Sequence, residues 1–253
     1  MKGQDVLFDL PPPGEKPVKF LRPQNPIWTE NKAKLIERYL YYFVLVTHHG
    51  VYIDGFAAPQ QNDKPESWAA KLVLESTPRW LREFWLCDIK KKGVKRLNAM
   101  VTEQPVVKGR RLHVLEGDFN QRIDTILSES RIDENTAAFC LLNQRTFECE
   151  WKTVERIARH KKDGRKIEIF YFLATGWLDR AIRATTRNHH RIERWWGQAD
   201  WRRLKGMPSL ERANLFCDRF KNELGYKHAH AWQIFSRETG GTVMYHMVHA
   251  SDH

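Results

Sequence analysis

Val51-Tyr52-Ile53-Asp54-Gly55 is a short apolar run that ends on an acid and a glycine, and the chain repeats this figure with variations. Phe84-Trp85-Leu86-Cys87 ends on Asp88. Leu112-His113-Val114-Leu115 is closed by Gly117-Asp118-Phe119-Asn120, and Ala138-Phe139-Cys140-Leu141-Leu142 stops at Asn143. Runs of this length suit strands buried on both faces. Helical segments separate them, one carrying Trp68, Ala69, Leu72, Val73 and Leu74, the next basic with Lys90, Lys91, Lys92, Lys95 and Arg96. Strands alternating with helices predict a parallel sheet.

Outward from this block, 167–173 is a fifth run, apolar apart from Glu168. Trp232-Gln233-Ile234-Phe235 and 243–248, joined across Thr239-Gly240-Gly241, read as an antiparallel hairpin. Upstream, Trp28 to Thr47 has helical spacing, with Leu35, Ile36, Tyr39, Leu40 and Phe43 on one face and Lys32, Lys34, Glu37 and Arg38 elsewhere. Residues 1–26 hold six prolines and read as an irregular arm. Residues 27–253 then form one domain, with a basic helical insertion around 177–225. The expected fold is α/β and Rossmann-like, with a seven-stranded, mostly parallel sheet and a terminal antiparallel hairpin. That is the plan of class I methyltransferases.

The chain's 253 residues, 42% hydrophobic, supply a sizeable core, and no apolar run approaches a membrane span. No basic-then-apolar leader opens the sequence. Cys87, Cys140, Cys149 and Cys217 lie far apart without C-x-x-C spacing, which suits reduced thiols in a cytoplasmic protein. The net charge of +11 is uneven: residues 151–253 carry 20 Lys and Arg against 11 Asp and Glu. A basic half beside a near-neutral one suggests a surface facing nucleic acid, although a generally basic protein has the same composition.

In an open parallel sheet, ligands bind outside the carboxyl ends of the strands. Asp54, Asp88, Asp118 and Asn143 occupy four such ends. The same residues also suit N-caps of the following helices. Asp88, at the end of the second strand, suits a bidentate grip on ribose hydroxyls. Asp118 suits adenine, with Phe119 stacking beside it. No G-x-G-x-x-G or Walker pattern follows the first strand, so a cofactor without pyrophosphate fits better.

Tyr52-Ile53-Asp54-Gly55-Phe56-Ala57-Ala58-Pro59 resembles the YIDGFAGP signature of three-Cys-motif partner proteins. Residues 116–120 resemble that family's GDF element, and 139–151 (FCLLNQRTFECEW) a branch reading LLDQRTFEC; 166–181 and the closing MYHMVHASDH also match. The resemblance runs from about Trp28 onward. It implies a methyltransferase-type Rossmann fold and an S-adenosylmethionine site built from Asp54, Gly55, Phe56, Ala57, Asp88, Asp118 and Phe119. It also implies association with a radical-SAM-like protein bearing a three-cysteine motif. Ala58 stands where the family has Gly, and Asn143 where it has Asp. Residues 143–147 occupy the slot in which amino-methyltransferases carry Asn/Asp-Pro-Pro-Phe/Tyr, without the prolines. Asn143 is therefore expected to position the acceptor, Arg145 to hold an anionic group and Phe147 to stack. A loop that caps the next helix is the other reading.

Arg180, Arg183, Arg187, Arg191 and Arg194 are spaced 3, 4, 4 and 3. On one helix they fall within an arc of roughly 80°. Guanidinium stripes suit phosphates, and His189, His190, Trp195, Trp196 and Trp201 would add stacking surface, although Ala181, Ile192 and Trp195 fall on the other side of the helix and tryptophans are more often core. The alternative is a solvated face paired with neighbouring acids. His246, His249 and His253 diverge along a strand, so no metal site is expected. Cys149 lacks an adjacent base and is not read as a nucleophile.

Overall fold

A computed structural model describes residues 27–59, 64–184, 189–237 and 240–253. The expected arm, 1–26, lies outside the described residues. Strands β1 (Val51–Asp54), β2 (Glu83–Asp88), β3 (Arg111–Glu116), β4 (Ala138–Leu142), β5 (Glu168–Leu173), β6 (His228–Arg237) and β7 (Gly240–Ser251) form one sheet in the order β3-β2-β1-β4-β5-β7-β6. β1 to β5 are parallel neighbours where they pair; β7 runs antiparallel to both β5 and β6. All seven expected strands are present, and the hairpin strands are longer than the apolar runs that announced them. His228, His230 and Arg237 pair within the ladder although their side chains are not apolar.

Alternation along the strands sorts the core into two layers. Val51, Ile53, Trp85, Cys87, Cys140, Leu142, Ile169 and Tyr171 face one side, where α4 (Phe119–Glu129) and α5 (Trp151–Ala158) pack. Tyr52, Phe84, Leu86, Phe139, Leu141, Phe170 and Phe172 face the other, against α1 (Ile27–Thr47), α2 (Ala69–Glu75) and α3 (Lys91–Thr102). Between β5 and β6 the chain forms α6 (Leu178–Ala184), α7 (His189–Trp196) and α8 (Ser209–Asn222).

α1 departs from the expected face in one respect. Ile36, Leu40 and Phe43 are buried as expected, but Lys32, placed with the polar residues by its charge, is buried with them. Positions 32, 36, 40 and 43 are spaced 4, 4 and 3, so they share one stripe. The apolar stripe carries the lysine inward.

Candidate active site

The strand order reverses between β1 and β4, whose carboxyl ends flank that switch point, with the ends of β2 and then β3 further along the same rim. Asp54, Asp88 and Asp118 share one local motif. Each carboxylate accepts the backbone N–H two residues on, from Phe56 at 3.0 Å, Lys90 at 2.8 Å and Asn120 at 3.0 Å. These are Asx turns, which short acids form where a strand gives way to a loop. Asp118 also caps α4, so the capping reading holds for it in full.

The three acids differ in what remains available. Asp54 is 2% exposed, and its second oxygen accepts from the Tyr52 hydroxyl at 3.1 Å. Burial raises its carboxyl to about 7, against the lowering effect of those two hydrogen bonds and with a smaller raising contribution from Asp88. Asp54 shapes the turn. Asp88 and Asp118 are only partly buried, and one oxygen of each meets no donor among the described residues. The Cys87 thiol lies among them: burial, then the charges of Asp88, Asp54 and Asp118, with Arg122 opposing, push it up to about 12. The acids therefore converge on one rim.

Two close approaches shape the turn after β1. A Cβ on Gly55 would stand 2.8 Å from the Phe119 ring, so the glycine admits that ring. Phe119 is 2% exposed and packs against Gly55, and Phe56 lies at a 6.0 Å centroid distance. Its face is a wall of the core more than a free stacking surface. A Cβ on Gly93 of α3 would stand 2.7 Å from the Ala58 methyl and 2.9 Å from Asp88 Oδ1. Gly93 thus leaves the room on α3 that the Ala58 methyl occupies. Ala57 is buried, and its backbone N–H donates to Cys87 O at 2.9 Å, tying this loop to β2.

Residues 143–150 close on themselves without prolines. Gln144, 1% exposed, accepts from Cys149 N at 2.9 Å, and Glu148 accepts from Thr146 N at 2.6 Å. Asn120 ties this loop to the β3 end. Its amide donates to Asp118 at 2.8 Å and to Glu148 O at 2.8 Å, and accepts from Glu150 N at 2.8 Å and Thr153 Oγ1 at 2.7 Å. Arg145 is exposed, as an anion-holding role requires. Phe147 is not free to stack on an acceptor. It is 5% exposed and meets Trp195 edge-on at 4.9 Å, because its ring completes the apolar layer beneath α7.

Asn143, half-buried, has a partner that its sequence neighbours do not announce. Lys32 Nζ donates to Asn143 Oδ1 at 2.8 Å across 111 residues. The amine lies 4.3 Å from the Tyr245 ring centroid and 4.7 Å from that of Phe172. Burial alone lowers it to about 7, and no carboxylate among the described residues offsets the charge.

The arginine stripe is carried by two helices. Arg180 and Arg183 are exposed on α6, Arg187 lies outside the described residues, and Arg191 and Arg194 stand on α7. Arg191 pairs with Glu148 at 3.2 Å and Arg194 with Glu150 at 2.7 Å, so these two brace the loop after β4. Trp195, Trp196 and Trp201 are buried and do not form a stacking platform. An amphipathic helix must cover the sheet with its largest rings. His246 bonds Thr175 at 2.9 Å, while His249 bonds Tyr39 at 3.0 Å and Glu168 at 3.1 Å. The four cysteines are free and buried.

The sheet order is that of a class I methyltransferase-like Rossmann fold, and Asp54, Asp88 and Asp118 stand along the rim at its carboxyl end. No family profile matches the chain, and no curated protein does. Solved structures similar to it include the small RNA methyltransferase HEN1 (TM-score 0.48, 12% identity, covering 95% of this chain and 27% of that one). A candidate methyltransferase from Thermobifida fusca YX has TM-score 0.48 and 9% identity over 88% of this chain and 80% of that one. TYW2 of P. horikoshii, in complex with MeSAdo, has TM-score 0.38 and 13% identity over 92% and 65%. This chain therefore spans about a quarter of the HEN1 chain's length. The acceptor set suits an adenosyl group: two rim carboxylates, each with one oxygen free of described donors, can accept from ribose hydroxyls and an amine. Among the described residues, no helix is long and apolar enough to cross a membrane.

Proposed function

We propose that the chain is an S-adenosylmethionine-dependent methyltransferase acting on a nucleic-acid or nucleotide acceptor. The observation that carries this reading is the pair Asp88 and Asp118, set on one rim of the sheet beside the switch point with one oxygen each still available. Asp88 would hold the ribose and Asp118 the adenine amine. Gly55, Phe56 and Ala57 shape the floor, and Asp54 braces their turn from below. Bound there, S-adenosylmethionine supplies a methyl already activated on a sulfonium, so the chain's own task is positioning. Asn143 and Arg145, in the loop after β4, would face the acceptor, and Arg180 and Arg183, exposed on α6, would supply positive charge for phosphates. The resemblance to three-Cys-motif partner proteins adds a radical-SAM-like protein with a three-cysteine motif as a partner.

Calorimetric titration with S-adenosylmethionine tests this. Asp88→Ala removes hydrogen bonds to a charged group, worth about 1.5–3 kcal/mol, so affinity is expected to fall roughly tenfold or more. Unchanged affinity would remove Asp88 from the site.

A second reading, a module that binds nucleic acid and its partner without transferring methyl groups, is favoured by Phe119, whose ring is packed onto Gly55. Salt-dependent nucleic-acid binding with no cofactor heat would select it.

A further inference from the structure

Resting on the transferase reading, the geometry around Asn143 narrows the acceptor. Lys32 Nζ donates to the amide oxygen of Asn143 at 2.8 Å, which leaves the NH2 group as the other end of that amide. The lysine cannot swing away. It is 2% exposed, on the buried stripe of α1, with the Phe172 and Tyr245 rings beside its amine. The Asn143 NH2 group meets no acceptor among the described residues, and Asn143 is half-buried at the carboxyl end of β4. The donor end of the amide is therefore left available to a ligand. Gly55 N donates to Leu141 O at 3.1 Å, which keeps this end of β4 beside the turn after β1.

We propose that Lys32 is a positioning residue that locks the Asn143 amide with its NH2 towards the strand-end cleft, so that the acceptor atom received there is a hydroxyl oxygen and not an exocyclic amine. An exocyclic base amine presents N–H groups, which meet a second N–H donor unfavourably. A hydroxyl oxygen has two lone pairs: one accepts from Asn143 and the other remains to attack. In the transfer that lone pair forms the bond to the methyl carbon. The electrons of the carbon–sulfur bond stay on sulfur, and the hydroxyl proton leaves to water. In a nucleic acid the matching group is a sugar hydroxyl.

Three measurements on the full chain test this. In NMR, with the Asn143 amide protons assigned by their loss in Asn143→Ala, strong contacts from those protons to the Lys32 ε-methylene are expected to be absent; their presence would overturn the orientation. Mass spectrometry of RNA digested after incubation with methyl-labelled S-adenosylmethionine is expected to show sugar O-methylation. Base amine methylation, or no product while the cofactor binds, would overturn the hydroxyl assignment. Lys32→Met should lower turnover roughly tenfold to a hundredfold, as misplacement of a positioning group does, with cofactor affinity and melting temperature not reduced. A parallel loss of cofactor affinity would mark Lys32 as merely structural. Absence of cofactor binding in the wild-type chain would sink the transferase reading and the hydroxyl assignment together, while the NMR contacts still decide the role of Lys32.

Discussion

Asp54 and Lys32 are both buried at the rim of the sheet, and each resists its own charge. For Asp54 the folded-state carboxyl is raised to about 7, above the unfolded value of about 4. The folded chain therefore holds this proton more tightly than the unfolded chain, and stability falls as pH rises from about 4 to about 7. Asp54→Asn keeps an oxygen for Phe56 N and removes the titration. Chemical denaturation is expected to show the variant more stable than wild type at pH 8, by up to a few kcal/mol, with the gap closing by pH 4. For Lys32 the amine is lowered to about 7, from an ordinary value of about 10.4. Its charged form disfavours the fold, and stability is regained as pH rises from about 7 towards 10. Lys32→Met should thus raise the melting temperature at pH 6, where the wild type buries a full charge.

At the scale of elements, α8 is fastened in large part by Arg219. Arg219, 4% exposed, lies between two indoles, 3.8 Å from the Trp151 ring centroid and 4.1 Å from that of Trp196. It donates to Trp196 O at 2.6 Å and to both oxygens of Glu223, at 2.7 and 2.8 Å. This joins α5, α7 and α8 through one side chain. Arg219→Ala leaves a cavity between the rings and strands a buried carbonyl, and is expected to cost about 3–5 kcal/mol in urea denaturation. Phe216→Ala, under the same helices and with rings of Trp195 and Trp196 within 5.4 Å, should cost a similar 3–5 kcal/mol. The loop after β4 responds differently, since Arg191 and Arg194 hold it from an exposed face. Removing either pair should change stability by less than about 1 kcal/mol.

For the whole molecule, the excess positive charge lies in residues 151–253, but the structure divides the arginines by role. Arg191 and Arg194 are paired with acids, while Arg180 and Arg183 are exposed on α6. Nucleic-acid affinity should fall with rising salt. Arg180→Glu with Arg183→Glu is expected to flatten the log–log slope by about 1–2, measured by fluorescence anisotropy at several salt concentrations. An unchanged slope would place the phosphate contacts elsewhere.

The sequence by itself determined the elements and their order: apolar runs of strand length, each ending in Asp or Asn, report burial on both faces and a turn at one rim, and burial is a local property of composition and period. The same local signal misplaced Lys32 and Phe147. Charge predicted exposure for the lysine, and a motif slot predicted contact with an acceptor for the phenylalanine. Only the tertiary structure brought Lys32 to Asn143 across 111 residues and Asn120 to the loop after β4. Such pairs depend on how helices seat on the sheet, and no spacing along the chain encodes that distance. The free oxygens of Asp88 and Asp118, set against the engaged ones of Asp54, were likewise decided by packing, because three similar strand ends differ only in what folds over them.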